Sequence, residues 1–221
     1  MPDHLHARGF AIVPHVLPRE VCERIIEYYS DSTLFRSVIH MKRYRFGEGE
    51  YKYFSYPLPT EIVELRSKFY EALVPVANLW MKLLKQPEQF PESHEALLER
   101  CRQAQQVRPT PLILQYGKGG YNTLHQDLYG DVYFPFQVVI PLTQQGVDHE
   151  GGEFVLTEQL PRAQSRAHVL TPNQGDALIF TTNFRPVNGA KGIFKTRMKH
   201  GVSEIKSGER YALGIIFHDA T

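Results

Sequence analysis

Apolar residues along the first half of the chain recur mostly at helical spacing, and along the second half they gather in short runs of strand length. Phe10-Ala11-Ile12-Val13, bounded by Gly9 and Pro14, suits a strand. After Pro18, a residue tolerated in a first helical turn, Val21, Cys22, Ile25, Ile26 and Tyr29 share one helical face. From Thr60, the set Ile62, Leu65, Phe69, Leu73, Val76, Leu79, Trp80 and Leu83 keeps that period, and predicts the longest helix with a kink at Pro75. A third helix is expected from Ser93, its N-cap, to about Gln106, with Leu97, Leu98, Cys101 and Ala104 on its apolar face.

Beyond Pro109 the texture changes. Leu112–Leu114, Gln137–Ile140, Glu153–Leu156, Ala177–Phe180 and Tyr211–Phe217 are short, rich in β-branched and aromatic residues, and separated by turn residues. Strands at this spacing without long helices between them predict antiparallel sheets, arranged as a sandwich, jelly roll or barrel. The expected fold is mainly β with packing helices (α+β). One domain spans 1–221, with 1–108 mostly helical on the outside and 109–221 forming the β core that carries the site.

The bulk properties narrow the setting. The 221 residues are 42% hydrophobic, enough for one substantial core, and the formal charge of +1 names no partner. Two cysteines, Cys22 and Cys101, an N-terminus unlike a signal peptide and no apolar run near the roughly 20 residues of a membrane span predict a cytoplasmic protein with reduced thiols and no membrane partner.

His125 and Asp127 stand two apart, so in extended chain both side chains leave on one face. A second imidazole from elsewhere would complete a facial triad of two histidines and a carboxylate, the donor set of non-haem Fe(II) oxygenases. His200 is available for this place, and Arg210 follows ten positions later. An arginine is permanently charged and planar, matched to one end of a dicarboxylate. Tyr116, nine residues before His125, offers a hydroxyl to the same group. Taken singly, each residue also has an ordinary structural reading: a core tyrosine, a solvated arginine, a chance His-x-Asp.

The series Tyr-x-x-Gly, His-x-Asp, Gly151-Gly152-Glu153, Gln174-Gly175-Asp176-Ala177, His-Gly-Val and Gly-x-Arg-Tyr resembles the 2-oxoglutarate/Fe(II) dioxygenases of the prolyl-4-hydroxylase-like group. More narrowly, the chain is similar to the bacterial Oxygenase-NA family through Arg45–Phe54, Leu124–Gly130, Gly151–Gln159 and Leu213–Asp219. The resemblance implies a double-stranded β-helix core. It also implies His125, Asp127 and His200 as Fe(II) ligands, Arg210 as the anchor of the distal carboxylate of 2-oxoglutarate, and Tyr116 as its helper. Dioxygen is then a co-reactant, and the product is a hydroxylated or demethylated substrate.

The substrate is less legible. Arg43-Tyr44-Arg45-Phe46 and Tyr51-Lys52-Tyr53-Phe54 interleave cations with aromatics, as a nucleic-acid surface would, and residues 181–200 add five cations and no acid; the equal alternative is that the aromatics pack in the core and the cations lie on a solvated loop. The run Leu124-His125-Gln126-Asp127 also resembles AlkB-type demethylases, yet the second arginine those enzymes carry six residues after the first is Ile216 here. Tyr121, Asn122 and Tyr129 flank the ligand loop, and His218 follows Arg210 at even spacing; all four are candidate substrate contacts, with a buried, hydrogen-bonded histidine as the other and better reading of His218. A protein or small-molecule hydroxylase is the alternative within the superfamily. A zinc hydrolase gives no role to Arg210, and a silent β-sandwich binding module predicts no turnover of 2-oxoglutarate. Asp148-His149-Glu150 reads as a solvated turn. The oligomeric state is not legible.

Overall fold

The computed structural model describes residues 1–127, 130–190 and 192–221. In chain order the first half comprises α1 (Pro2–Arg8), β1 (Phe10–Val13), α2 (Arg19–Tyr28), β2 (Phe35–His40), α3 (Met41–Tyr44), β3 (Gly47–Glu48), β4 (Glu50–Phe54), α4 (Thr60–Leu83) and α5 (His94–Gln103). The second half is all strand: β5 (Leu112–Tyr116), β6 (Tyr121–His125), β7 (Phe136–Pro141), β8 (His149–Gly151), β9 (Phe154–Gln159), β10 (Ser165–Leu170), β11 (Ala177–Thr181), β12 (Phe184–Gly189), β13 (Gly192–Val202), β14 (Ile205–Gly208) and β15 (Arg210–Ile215).

Apart from β8 and β14, which pair with each other, the strands form a seven-stranded sheet ordered β1-β11-β7-β15-β5-β4-β2 and a second sheet ordered β10-β9-β13-β6-β3 with β12 on β13. Every strand pair within them is antiparallel. The sheets face one another as a jelly roll, and residues from both wall one cavity.

Alternation along the large sheet divides its labour. One face carries Ile113, Val138, Ile140, Ile179, Leu213 and Ile215 into a core shared with Tyr70, Leu73, Ala77 and Trp80 of α4. The other turns Val139, Leu178, Phe180 and Ala212 toward Phe154, Leu156 and Met198 of the small sheet. A strand's period of two thus gives one sheet an apolar outer face for helices and an inner face for a site. The outer face is fixed by Arg66 on α4. Its guanidinium donates to the Ile216 carbonyl (2.9 Å) and pairs with Asp219 (2.6 Å), locking the chain just beyond β15 against the helix.

Three expectations need correction. The N-terminal half is not only a helical coat: beside the expected strand β1, which edges the large sheet, β2 and β4 extend that sheet and β3 pairs with β6. These strands are short and half-buried, so their periodicity is weak in sequence. The cation-rich stretch before His200 is strand rather than loop, with Thr196, Met198 and His200 buried while Lys195, Arg197 and Lys199 alternate outward. His149 is buried on β8 at 5% exposure, not solvated in a turn. Ser93 caps α5 as expected, accepting from the Ala96 N–H, and α4 runs through Pro75 without ending.

Candidate active site

β6 and β13 run side by side in the small sheet with His125 directly opposite His200, so the pairing register itself brings the two imidazoles together, 4.2 Å between ring centroids. Asp127 lies two residues past His125, where the strand has ended. Its carboxylate reaches both rings, with His125 Nε2 at 3.5 Å and His200 Nε2 at 3.3 Å. One ligand atom from each of the three falls within 4.8 Å of the others.

The local bonds orient these donors. The Thr123 carbonyl accepts from His125 Nδ1 at 2.7 Å, which puts the proton on that nitrogen and leaves the Nε2 lone pair facing the centre. Burial, and then the neighbouring His200, hold the His125 pKa below its ordinary value, so the ring stays neutral and able to ligate. His200 is wedged between Phe154, stacked at 5.8 Å, and Phe180 at 4.7 Å. Two nitrogens and a hard carboxylate oxygen on a partly buried site suit a divalent iron with open positions better than a closed zinc site, which takes four protein ligands.

The triad opens on a cavity of about 320 Å³. Arg210, the first residue of β15, lies opposite Tyr116 on β5, and its guanidinium sits 5.6 Å from the Tyr116 ring. Arg210 is 5% exposed, and no carboxylate among the described residues lies within ion-pairing distance of it. Burial lowers its pKa and pushes the Tyr116 hydroxyl up to about 12. Nearby His149 is held below its ordinary value by burial and then by the Arg210 charge, so this corner carries one cation and neutral neighbours.

The substrate candidates separate. A bulge in β6 lets Asn122 and His125, three residues apart, both line the cavity. The Asn122 amide donates to the Tyr116 hydroxyl at 3.4 Å, which places it at the Arg210 corner. Tyr121 is 41% exposed and is not a lining residue. Tyr129 lies outside the described residues. His218 is 1% exposed and is not a lining residue; its Nδ1 accepts from the Phe134 N–H. Of its two readings, this position shows the buried, hydrogen-bonded histidine.

Several lining residues were not placed inside the site at the level of sequence. Tyr51 and Tyr53 face inward, edge to face at 5.4 Å, instead of forming an outer surface with Lys52. Gln137 and Ile216 line the end remote from Arg210. Gln137 had a readable signal, as a lone amide inside the apolar run Phe136-Gln137-Val138-Val139-Ile140. Outside the mouth, Tyr44 and Phe46 stack at 5.6 Å and are each nearly half exposed, and Phe46 also lines the cavity.

Comparison with known proteins agrees with this architecture. The fold matches a prolyl-4-hydroxylase from Pseudomonas putida with a TM-score of 0.57 at 15% identity, covering 100% of this chain and 97% of that one. It also matches a prolyl hydroxylase from Trichoplax adhaerens, solved with a hypoxia-inducible-factor peptide, with a TM-score of 0.61 at 16% identity, covering 99% and 87%. A viral collagen prolyl hydroxylase from Paramecium Bursaria Chlorella virus-1, solved with 2-oxoglutarate, gives 0.55 at 15% identity over 95% of each chain. At such identities the likeness is one of fold. In sequence, an uncharacterized protein of Mycobacterium tuberculosis, found in two strains, is 46% identical over 167 residues, 76% of this chain and 72% of its own. Residues 49–220 match a family described as an oxygenase catalysing oxidative methylation of damaged DNA, and with that match spanning most of its length the chain belongs to the Oxygenase-NA family.

Proposed function

We propose that this oxygenase is iron(II)- and 2-oxoglutarate-dependent and oxidises a damaged nucleic-acid base. The observation that carries the cofactor reading is Arg210, a buried cation with no counter-ion among the described residues, opening on the same cavity as a His/Asp/His triad. Such a charge is expensive to bury, and an anion entering the cavity is what offsets the cost. A planar guanidinium takes a carboxylate in bidentate fashion, and the Tyr116 hydroxyl and Asn122 amide add hydrogen bonds beside it.

His125, Asp127 and His200 would hold the iron, and Arg210 with Tyr116 the distal carboxylate of 2-oxoglutarate. When bound, iron and 2-oxoglutarate supply dioxygen activation coupled to decarboxylation of the cosubstrate to succinate. The chain's own residues do the rest. Phe154 and Phe180 pin the His200 ring, Thr123 fixes the tautomer of His125, and Leu114, Val139 and Phe180 keep the interior dry. Oxygen inserted into a C–H bond of an N-methyl group gives an N-hydroxymethyl product, which releases formaldehyde and restores the base.

The nucleic-acid part of the reading is supported by the family's description and by the cavity mouth. There the stacked, exposed Tyr44–Phe46 pair, with Arg43 5.9 Å from the Tyr44 ring, offers stacking and cation contacts to a single strand. The test is succinate and formaldehyde release by Fe(II)-loaded protein, with and without methylated single-stranded DNA. Iron-dependent succinate stimulated by that DNA is expected, and His125→Ala, Asp127→Ala or His200→Ala should each abolish it. Turnover indifferent to nucleic acid but stimulated by a peptide would replace the substrate; no turnover and no 2-oxoglutarate binding would remove the cofactor reading.

A further inference from the structure

Besides Arg210, the cavity lining holds buried polar atoms without a partner among the described residues at Asn122 Oδ1, His200 Nδ1 and, at the end remote from Arg210, Gln137. Gln137 is 5% exposed, lines the cavity, and its Nε2 has no hydrogen-bond partner among the described residues. A buried amide N–H₂ left unpaired is costly, and beside a cavity a ligand's acceptor offsets that cost. Its neighbours are set by register. On β11, Phe180 lies directly opposite Gln137; on the other side, the pairing of Ile215 with Val138 puts Ile216 beside it. Gly214, Leu112 and Tyr53 form the next row of the same face.

This end does not belong to the cosubstrate. Arg210 and Ile216 are six residues apart on one extended segment, about 20 Å at a rise of some 3.3 Å per residue. A five-carbon dicarboxylate is only about 6–7 Å long, given carbon–carbon bonds of about 1.5 Å. Held at its far carboxylate by Arg210, it would be too short to reach the Gln137 end, which it leaves to a second molecule. The charges there are also distinctive. Of the described lining residues, only Asp127 and Arg210 carry a formal charge, one within the triad and the other at the opposite end.

We infer that Gln137 is the specificity-determining residue of the substrate pocket, its carboxamide donating to a carbonyl oxygen of an uncharged methylated base. The inference rests on the nucleic-acid reading above and names the class of base within it. A neutral methylated pyrimidine such as 3-methylthymine presents a carbonyl on each side of its N-methyl group, matching a free amide donor between aromatic and aliphatic walls. Cationic bases such as 3-methylcytosine or 1-methyladenine would be desolvated there with no lining carboxylate among the described residues but that of Asp127, which belongs to the triad, a cost that counts against them.

The test uses full-length protein loaded with Mn(II) and 2-oxoglutarate and short fluorescent single-stranded oligonucleotides, each with one modified base, read by anisotropy. The wild type should bind the 3-methylthymine strand at least about tenfold more tightly than the 3-methylcytosine or 1-methyladenine strand. Gln137→Leu, similar in volume, should lose that preference while 2-oxoglutarate affinity by calorimetry stays within about twofold. Gln137→Glu should turn the preference toward the cationic bases. Equal or tighter wild-type binding of the cationic strands, an unchanged preference in Gln137→Leu, or no preference for any modified strand would overturn the inference. Loss of 2-oxoglutarate binding in the wild type would instead strike the cofactor reading, so the two failures are distinguishable.

Discussion

Two arginines are buried on opposite faces of the large sheet, and the regions around them have been built to different ends. Arg66, at the helix-facing side, is 1% exposed and fully partnered. It pairs with Asp219 at 2.6 Å, donates to the Ile216 carbonyl, and approaches the Tyr56 and Thr110 hydroxyls at 3.2 and 3.3 Å. Arg210, at the cavity side, is 5% exposed and has the Tyr116 ring for company. Burial is nearly equal; satisfaction is not. A satisfied buried charge organises the fold, whereas an unsatisfied one beside an open cavity is poised for a ligand.

Removing one partner on each side separates these roles. Asp219→Ala leaves Arg66 buried without its carboxylate and should cost about 3–5 kcal/mol of folding stability, read by urea denaturation. Arg210→Met removes a desolvated cation that no protein carboxylate balances, so stability should hold or rise. Its 2-oxoglutarate affinity should fall 100- to 1000-fold, about 3–4 kcal/mol by calorimetry. Should Arg210→Met unfold the protein while binding survives, the contrast between the two arginines fails.

The helix-facing region also sets the acid limit. His94 on α5 and His218 beyond β15 are buried, chiefly by desolvation and then by the Arg66 charge, and both are pushed down from 6.5 to about 4. Both hydrogen bonds suit neutral rings: the Phe217 carbonyl accepts from His94 at 2.8 Å, and His218 accepts from Phe134. The unfolded chain takes up protons near pH 6.5 and the folded one only near 4. This stability is therefore complete above about 6.5, drains as pH falls to about 4 and then levels off. Each histidine contributes roughly 3 kcal/mol at most. A His94→Gln variant should show a shallower loss between pH 6.5 and 4 in urea titrations. An unchanged slope would place the acid sensitivity elsewhere.

Much of this was legible in the chain. Helical periodicity located the long helix against the sheet, and apolar runs located β5, β7, β11 and β15, because elements buried on a whole face print their period strongly. The His-x-Asp spacing, His200 and Arg210 gave a candidate site whose members the fold does bring to one cavity. What escaped was set by pairing rather than by pattern. Asn122 was a candidate by its nearness in sequence, but the bulge that sets it beside Tyr116 while His125 also faces the cavity exists only between two strands. Tyr51 and Tyr53 looked like surface because Lys52 lies between them. Lys52 instead points to the opposite face, 4.0 Å from the Tyr29 ring, with its amine donating to the Tyr29 carbonyl.

The smallest expected effect tests whether the mouth of the cavity belongs with the interior of the site or with the scaffold. Phe46 is bound to the site strand, its carbonyl accepting from both the N–H and the hydroxyl of Thr123, two residues before His125. Tyr44 is 48% exposed and stacks on Phe46 without a hydrogen bond from its hydroxyl to any described residue. Tyr44→Ala therefore removes a stacking surface and almost no core. Folding stability should change by less than about 0.5 kcal/mol, as at most surface positions. Affinity for single-stranded DNA should fall by about 1–2 kcal/mol, the scale of one base stacked on one aromatic ring, with 2-oxoglutarate binding unaltered. If Tyr44→Ala binds single strands like the wild type, the aromatic pair is a cap on the cavity wall, and recognition of the strand begins deeper, at Tyr51, Tyr53 and Gln137.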